Sequence, residues 1–298
     1  MSTPSDGQTV AVLGCGVLGR GLVKNLRRVG HELRLYNRSV SVSESVAEPS
    51  DAVCSTPAEA ADGAHVVLAA VTDDEASRSI WCGRDGALQG ASAGTMALEF
   101  STISPAWADQ WGKDCRNAGL RPVAVPVTGG RSRAEDGTLV VFAGGAPDDI
   151  TDASHVLEAV GSECVTFSSI RMASTYKLLH NALAANALAG LVEALALADA
   201  SGLPRRLVVE VLSRWGWGAP VAGSCGPSIL EQDFREVNCS LANLAKDLSY
   251  ALALSDTTGV SLPLAQAAFG YYEAALGAGF GPHDMAALGA ATGQEETG

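Results

Sequence analysis

Gly14-Cys15-Gly16-Val17-Leu18-Gly19 has the spacing G-x-G-x-x-G and follows directly on the apolar run Thr9–Leu13. A helical pattern continues through Val23, Leu26 and Val29, and a second apolar run covers Glu32–Tyr36. In this strand–turn–helix–strand setting each glycine has a physical role. Gly14 permits the tight turn, Gly16 lets a pyrophosphate approach the backbone, and Gly19 allows close helix packing. The helix N-terminus adds unsatisfied N–H groups and a partial positive charge. Asn37-Arg38-Ser39 follows the second strand, where an NAD site carries an acid. Asn37 is neutral and does not repel a 2′-phosphate. Arg38 offers a planar fork for phosphate, and Ser39 a hydroxyl donor. An arginine simply solvated after a strand fits Arg38 as well. The pattern is read as a dinucleotide site preferring NADP(H), with Gly14, Cys15, Gly16, Val17, Leu18, Gly19, Asn37, Arg38 and Ser39 as contacts.

A hydride-transfer site also needs a proton donor for the substrate oxygen. Lys177 fits that need, and Asn181, one turn on, projects from the same helix face. Partial burial of such a lysine lowers its pKa and suits it to act as base in the reverse direction. A lysine snorkelling from an apolar stripe gives the same pattern. Thr128-Gly129-Gly130 follows an apolar strand, and its backbone N–H groups and hydroxyl suit a carboxylate. Arg131 and Arg133 lie just beyond and attract anions or are simply solvated. Val71-Thr72 and Ser101-Thr102 end further strands, at the edge where ligands of such sheets bind. Lys246-Asp247 reads as a surface ion pair on a helix. Trp215-Gly216-Trp217 reads as a pocket lining or a core cap. The five histidines have no metal-ligand spacing.

The elements that must position these residues alternate through residues 9–168. Ala64–Val71, Thr95–Phe100, Pro122–Val127 and Thr138–Ala143 read as strands, and Thr56–Ala61 and Pro105–Ala118 as helices. Such alternation predicts an α/β fold with a mainly parallel, doubly wound sheet. Strand signals stop near 170. Ser174–Ala200 reads as one helix, about 40 Å long. It is apolar nearly all round and is expected to be buried on several sides, between two domains or two subunits. Helices are expected at Arg205–Ser213, Leu241–Thr257 and Leu264–Ala275. The domains are placed at 1–169 and 170–298.

The 298 residues carry a net charge of −13, which argues against nucleic acid or an anionic membrane as partner. Seven scattered cysteines, none at C-x-x-C spacing, suit a reducing cytosol. Met1–Gln8 is polar, with no leader pattern. Ala182–Ala198, interrupted by Asn186 and Glu193, reads as too polar and slightly short for a membrane span. Residues 1–7 and about 292–298 read as mobile tails.

Taken in order, these motifs resemble the β-hydroxyacid dehydrogenase family. The resemblance rests on the glycine loop with Asn25, Ser101-Thr102, Pro126–Gly130, Gly137-Thr138-Leu139, Lys177 with Asn181, and Lys246-Asp247. It implies a Rossmann domain, a long interdomain helix and an all-helical, dimerising domain. It implies Lys177 as acid/base, Thr128, Gly129 and Gly130 around a substrate carboxylate, and Asn181 on the substrate. Lys246 would approach nicotinamide and substrate, and Thr102 the cofactor. Three departures touch the substrate side: Ala124-Val125 in place of Asp-Ala, Leu18 in place of Met, and Cys239 near a common aromatic. The expected activity is cytoplasmic, NADP(H)-dependent hydride exchange with a small hydroxy or oxo acid, by a homodimer. The alternatives are an imine reductase or reductase of a larger ketone, and a non-catalytic NADP(H) sensor.

Overall fold

The computed structural model of the chain describes residues 7–291. Most of the two expected tails (1–6 and 292–298) lies outside the described residues. Contacts divide the chain into two units, Met1–Lys177 and Leu178–Gly298.

In the first unit, the strands are β1 (Thr9–Leu13), β2 (Glu32–Tyr36), β3 (Ala52–Val53), β4 (Val66–Ala69) and β5 (Met96–Glu99), followed by β6 (Arg121–Ala124), β7 (Val127–Thr128), β8 (Leu139–Gly144) and β9 (Gly161–Phe167). They form one sheet in the order β3-β2-β1-β4-β5-β6-β8-β7, with β9 beside β8. Pairing is parallel from β3 across to β6, and antiparallel where β8 meets β6 and β7. The chain leaves β1 toward β2 and β3, then crosses back to β4. The strand order therefore reverses between β1 and β4, and their carboxyl ends open the crevice used by dinucleotides.

The helices of this unit are α1 (Val17–Arg28), α2 (Val40–Glu44), α3 (Pro57–Ala61), α4 (Asp74–Cys82), α5 (Ala87–Gly90) and α6 (Pro105–Asn117), then α7 (Gly130–Asp136), α8 (Pro147–Asp152) and α9 (Ser154–Val160). Alternating residues of the central strands feed two cores, as period 2 requires. Val10, Val12, Leu33, Leu35, Leu68 and Leu98 pack with Leu22 and Leu26 of α1 and with α9. Ala11, Leu13, Val67, Ala69 and Ala97 pack with Trp81 of α4 and with Trp107 and Trp111 of α6. Burial on both faces explains why β1 and β4 read as near-continuous apolar runs, and β5 as one up to Glu99.

The long helix α10 (Ile170–Ala200) starts four residues before the sequence pattern suggested, and the division between the units falls inside it. In the second unit its later turns join α11 (Arg205–Trp215), α12 (Ala219–Glu231), α13 (Leu241–Thr258), α14 (Pro263–Gly277) and α15 (Leu288–Ala291). Their core includes Leu188, Val192, Leu195, Ile229, Leu244, Leu248 and Tyr272. The Tyr272 hydroxyl, fully buried, donates to the Ala185 carbonyl at 3.1 Å.

Two expectations need correction. By length and composition α10 is long and apolar enough to cross a membrane, because the helix outruns the apolar stretch read from sequence. Leu179, Leu183 and Leu197 on this helix are exposed in the single chain. Trp215 and Trp217 neither line a pocket nor cap a core; both are exposed, at the end of α11 and just past its C-cap Gly216. The elements without a sequence signal include α12 and β9. α12 contains Pro227 within the helix, and β9 is an edge strand whose side chains are mostly exposed.

Candidate functional site

The glycine loop joins β1 to α1. Gly14 has φ 101°, and a Cβ there would come within 2.3 Å of the Ala70 carbonyl oxygen and 3.1 Å of Val71 Cγ1. A Cβ on Gly19 would sit 1.9 Å from the Gly14 carbonyl oxygen, so the first helical turn lies directly on the loop. Gly16 faces open space. No side chain caps the N-terminus of α1 and no acid stands in its first turn. A backbone cradle that is open at Gly16 and closed around Gly14 and Gly19 fits a pyrophosphate. Cys15 is a packing residue. Its thiol is buried against the Tyr36 carbonyl, and burial pushes its pKa up to about 12.

Asn37 ties the loop to the end of β2. Its Oδ1 accepts from the Cys15 N–H at 3.1 Å and its Nδ2 donates to the Ser39 carbonyl at 3.1 Å. Of the amides read as phosphate ligands, that of Cys15 is therefore engaged within the loop. Arg38 and Ser39 stand exposed beyond β2.

The ends of β4 and β5 are joined by a buried polar network. Glu99 is 0% exposed. Its Oε2 accepts from Ser77 Oγ at 2.6 Å and from Trp81 Nε1 at 2.9 Å, and its Oε1 from the Ser101 N–H at 3.0 Å. The Ser101 hydroxyl also bonds this carboxylate and accepts the Val71 N–H at 2.8 Å. Trp107 Nε1 donates to Ser77 Oγ at 2.9 Å, which extends the network to α6. Burial raises the Glu99 pKa, and the four hydrogen bonds oppose that rise. Nearer the surface, Asp74 accepts from the Ser104 N–H at 2.7 Å and the Ser104 hydroxyl at 2.5 Å. Two clasps thus hold together the segments that carry Val71-Thr72 and Ser101-Thr102.

Thr128 ends β7, and Gly129 and Gly130 turn into α7 with φ of 137° and 68°. A Cβ on Gly129 would strike Arg133 Cδ at 2.7 Å, so this turn demands glycine. Asn25 of α1 holds α7 in place by donating to the Gly21 and Ala134 carbonyls, both at 2.9 Å. Arg131 is engaged with Glu135 at 2.8 Å. Lys177, on α10, is only 7% exposed.

In the second unit, Asn181 Nδ2 donates to Asp247 Oδ2 at 2.5 Å. Lys246 Nζ lies 2.9 Å from Asp247 Oδ1 as an ion pair, without hydrogen-bond alignment, and 5.2 Å from the Tyr250 ring centroid. The bond to Asp247 fixes the Asn181 amide, so its Oδ1 faces His180 Nδ1 at 3.1 Å and accepts the proton that nitrogen carries. Lys246-Asp247 is therefore not a surface pair: the Asp247 side chain is 5% exposed. The structure brings Asn181 and Lys246 together through this aspartate, which the sequence alone does not single out. Its adjacency to lysine looks the same in sequence whether the pair is buried or solvated.

The comparisons with known proteins agree with this geometry. Residues 9–168 match the family described as the NAD-binding domain of 6-phosphogluconate dehydrogenase. Residues 172–291 match the one described as NAD-binding of NADP-dependent 3-hydroxyisobutyrate dehydrogenase. The chain is 29% identical over 276 residues to the cytokine-like nuclear factor N-PAC of Anopheles gambiae, covering 93% of this chain but 49% of that protein. The chain thus spans about half the length of N-PAC. It is 29% identical to the 3-sulfolactaldehyde reductase of Escherichia coli K12, with 94% of each covered. The solved 3-hydroxyisobutyrate dehydrogenase of Mycobacterium tuberculosis, with L-serine, is 26% identical at a TM-score of 0.83, covering 97% of this chain and 100% of that one. Its two halves and their order place this chain in the 3-hydroxyisobutyrate dehydrogenase family of nicotinamide-dependent oxidoreductases.

Proposed function

We propose that the chain exchanges a hydride between NADP(H) and a small 3-hydroxy acid or the corresponding oxo acid or semialdehyde. The observation that carries this reading is the burial of Lys177 in a chain with an open glycine cradle. Lysine is among the residues least often found fully buried. A bound nicotinamide supplies the hydride to the substrate carbonyl carbon. Lys177 Nζ gives its proton to the substrate oxygen, and takes it back in the oxidative direction. The Thr128-Gly129-Gly130 turn holds the substrate carboxylate by its N–H groups and hydroxyl. Asn181 and Lys246, set by Asp247, bind the remainder of the substrate, and Lys246 also reaches the nicotinamide. Gly14 to Gly19 bind the pyrophosphate, Val71, Thr72 and Thr102 the nicotinamide side, and Asn37, Arg38 and Ser39 the adenosine side.

Arg38 and Ser39, with no acid at position 37, support NADP(H) over NAD(H). In this reading residues 1–169 are the cofactor domain and 170–298 the substrate domain. A cytoplasmic homodimer would cover the exposed Leu179, Leu183 and Leu197. A second reading, a nicotinamide-binding protein without turnover, is favoured by the likeness to a protein named a nuclear factor.

The test is a substrate panel of small oxo acids, semialdehydes and cyclic imines, assayed with NADPH and NADH. The Lys177→Ala variant is expected to turn over about 100- to 10,000-fold more slowly while binding NADPH as before. Near-normal turnover in that variant excludes the lysine role. No turnover by the unaltered chain, despite NADPH binding, selects the second reading. Preference for imines would select an imine reductase. Arg38→Ala is expected to weaken NADPH far more than NADH; an equal effect on both removes Arg38 from cofactor choice.

A further inference from the structure

Glu99 is buried completely, yet none of the proposed chemistry uses it. Its position is informative. It ends β5, directly before Ser101-Thr102, and the Ser101 hydroxyl connects it to the Val71 N–H. Val71 lies beside the glycine loop, where a Gly14 Cβ would touch its Cγ1. A dinucleotide lying across the β1/β4 crevice has its adenosine over β2, where Arg38 follows. Its nicotinamide then lies over β4 and β5.

The donors around Glu99 also have a direction. Indole Nε1 and backbone N–H groups only donate, and the Ser77 and Ser101 hydroxyls each already accept one bond, from Trp107 and Val71. Each hydroxyl therefore has its proton available for the carboxylate. The chain Val71 N–H to Ser101 O–H to Glu99 runs one way, and so does Trp107 N–H to Ser77 O–H to Glu99. A carboxylate accepting at both oxygens ends both chains, so both hydroxyl rotors are fixed. Two bonds bind Ser101, one from its backbone and one from its hydroxyl. The backbone leading to Thr102 is thereby set at the same time as Val71.

We propose that Glu99 is a positioning residue that presets the ends of β4 and β5 for the nicotinamide half of the cofactor. The proposal rests on the cofactor site described above. Glu99 touches neither cofactor nor substrate; it acts through Ser101 on Val71 and Thr102. Loops set before the cofactor arrives do not have to be ordered by it, and affinity falls in proportion to the fraction of chains that are competent.

The experiment titrates two probes into the full chain: NADPH, and adenosine 2′,5′-bisphosphate, which carries the adenine half alone. Ser101→Ala removes the link to Val71 and leaves Ser77 and Trp81 on Glu99. If loosening leaves a tenth of the chains competent, NADPH binds about tenfold more weakly, while the bisphosphate is held as before. The cofactor KM rises in step with the NADPH affinity loss. Ser101→Thr, which keeps the hydroxyl, restores NADPH binding, and Glu99→Gln shifts it in the same direction as Ser101→Ala. Equal weakening of both probes overturns the proposal, as does unchanged NADPH binding in Ser101→Ala. An unaltered chain that binds neither probe overturns the cofactor reading, and this proposal with it. Amide exchange in the unaltered chain gives a check independent of any variant. The Val71 N–H is expected to be protected before NADPH is added; free exchange there overturns presetting.

Discussion

Glu99 and Asp247 are both buried carboxylates, at 0% and 3% exposure, in different units of the chain. Around Glu99 the donors are two hydroxyls, an indole and a backbone N–H, all neutral. Around Asp247 they are an amide and an ammonium, from Asn181 and Lys246. Neutral donors are cheap to bury, and several together hold a carboxylate without bringing a second charge inside. A cation brings a second desolvation cost, which is met only while both partners are present. The first arrangement suits a frame and the second a set of working groups held in one geometry. The contrast shows that burial of a carboxylate does not by itself mark chemistry. What its donors are, and whether they have another task, decides which role it serves.

This contrast can be broken by experiment. Asp247→Ala leaves Lys246 and the Asn181 amide without their acceptor and is expected to cost about 3–5 kcal/mol. Urea unfolding checks it; a loss no greater than that of an exposed pair would show that Lys246 simply turns to water. Trp81→Phe removes one neutral donor and leaves Glu99 the others, so a loss of about 1 kcal/mol is expected from the same measurement. A loss as large as that of Asp247→Ala would erase the distinction between the two sites.

The smallest effect is a pH slope. The folded-state pKa of Glu99 is raised above its ordinary value of 4.5, with burial as the main cause. The folded chain then keeps this proton when the unfolded chain has lost it. The stabilising contribution is full below pH 4.5 and declines as pH rises through the folded value. Relative to Glu99→Gln, which does not titrate, the unaltered chain is expected to lose stability between pH 4.5 and neutrality. A difference that instead grows with pH would show that the four donors outweigh burial.

The same two sites show what a sequence discloses. The glycine loop was legible because its constraints are local: a Cβ at Gly14 or Gly19 meets backbone within a few residues or on the adjoining strand. The central strands were legible because burial on both faces leaves apolar runs, interrupted in β5 only at its last residue, Glu99. The Glu99 network was not, since its members come from β5, α4, α6 and the end of β4, and none is unusual alone. Lys246-Asp247 reads as a surface pair because adjacent charges on a helix usually face water, whereas the aspartate is buried and bonded to Asn181 of α10. α12 was overlooked for its glycines and Pro227, which lower helix propensity although the core around Cys225 and Ile229 holds the helix. The exposure of Trp215 and Trp217 reverses the usual expectation for tryptophan.

The bond from Cys15 N–H to Asn37 Oδ1 bears on redesign. It makes position 37 an anchor for the loop, at the place where the proposed cofactor reading puts the adenosine ribose. Aspartate has an oxygen where asparagine has Oδ1, so Asn37→Asp would keep the anchor while adding a charge that repels a 2′-phosphate. Arg38 and Ser39 lie exposed next to it, outside the packed sheet. On the proposed cofactor reading, coenzyme choice is modular: it would be exchanged at the rim while the backbone of the glycine loop stays as it is.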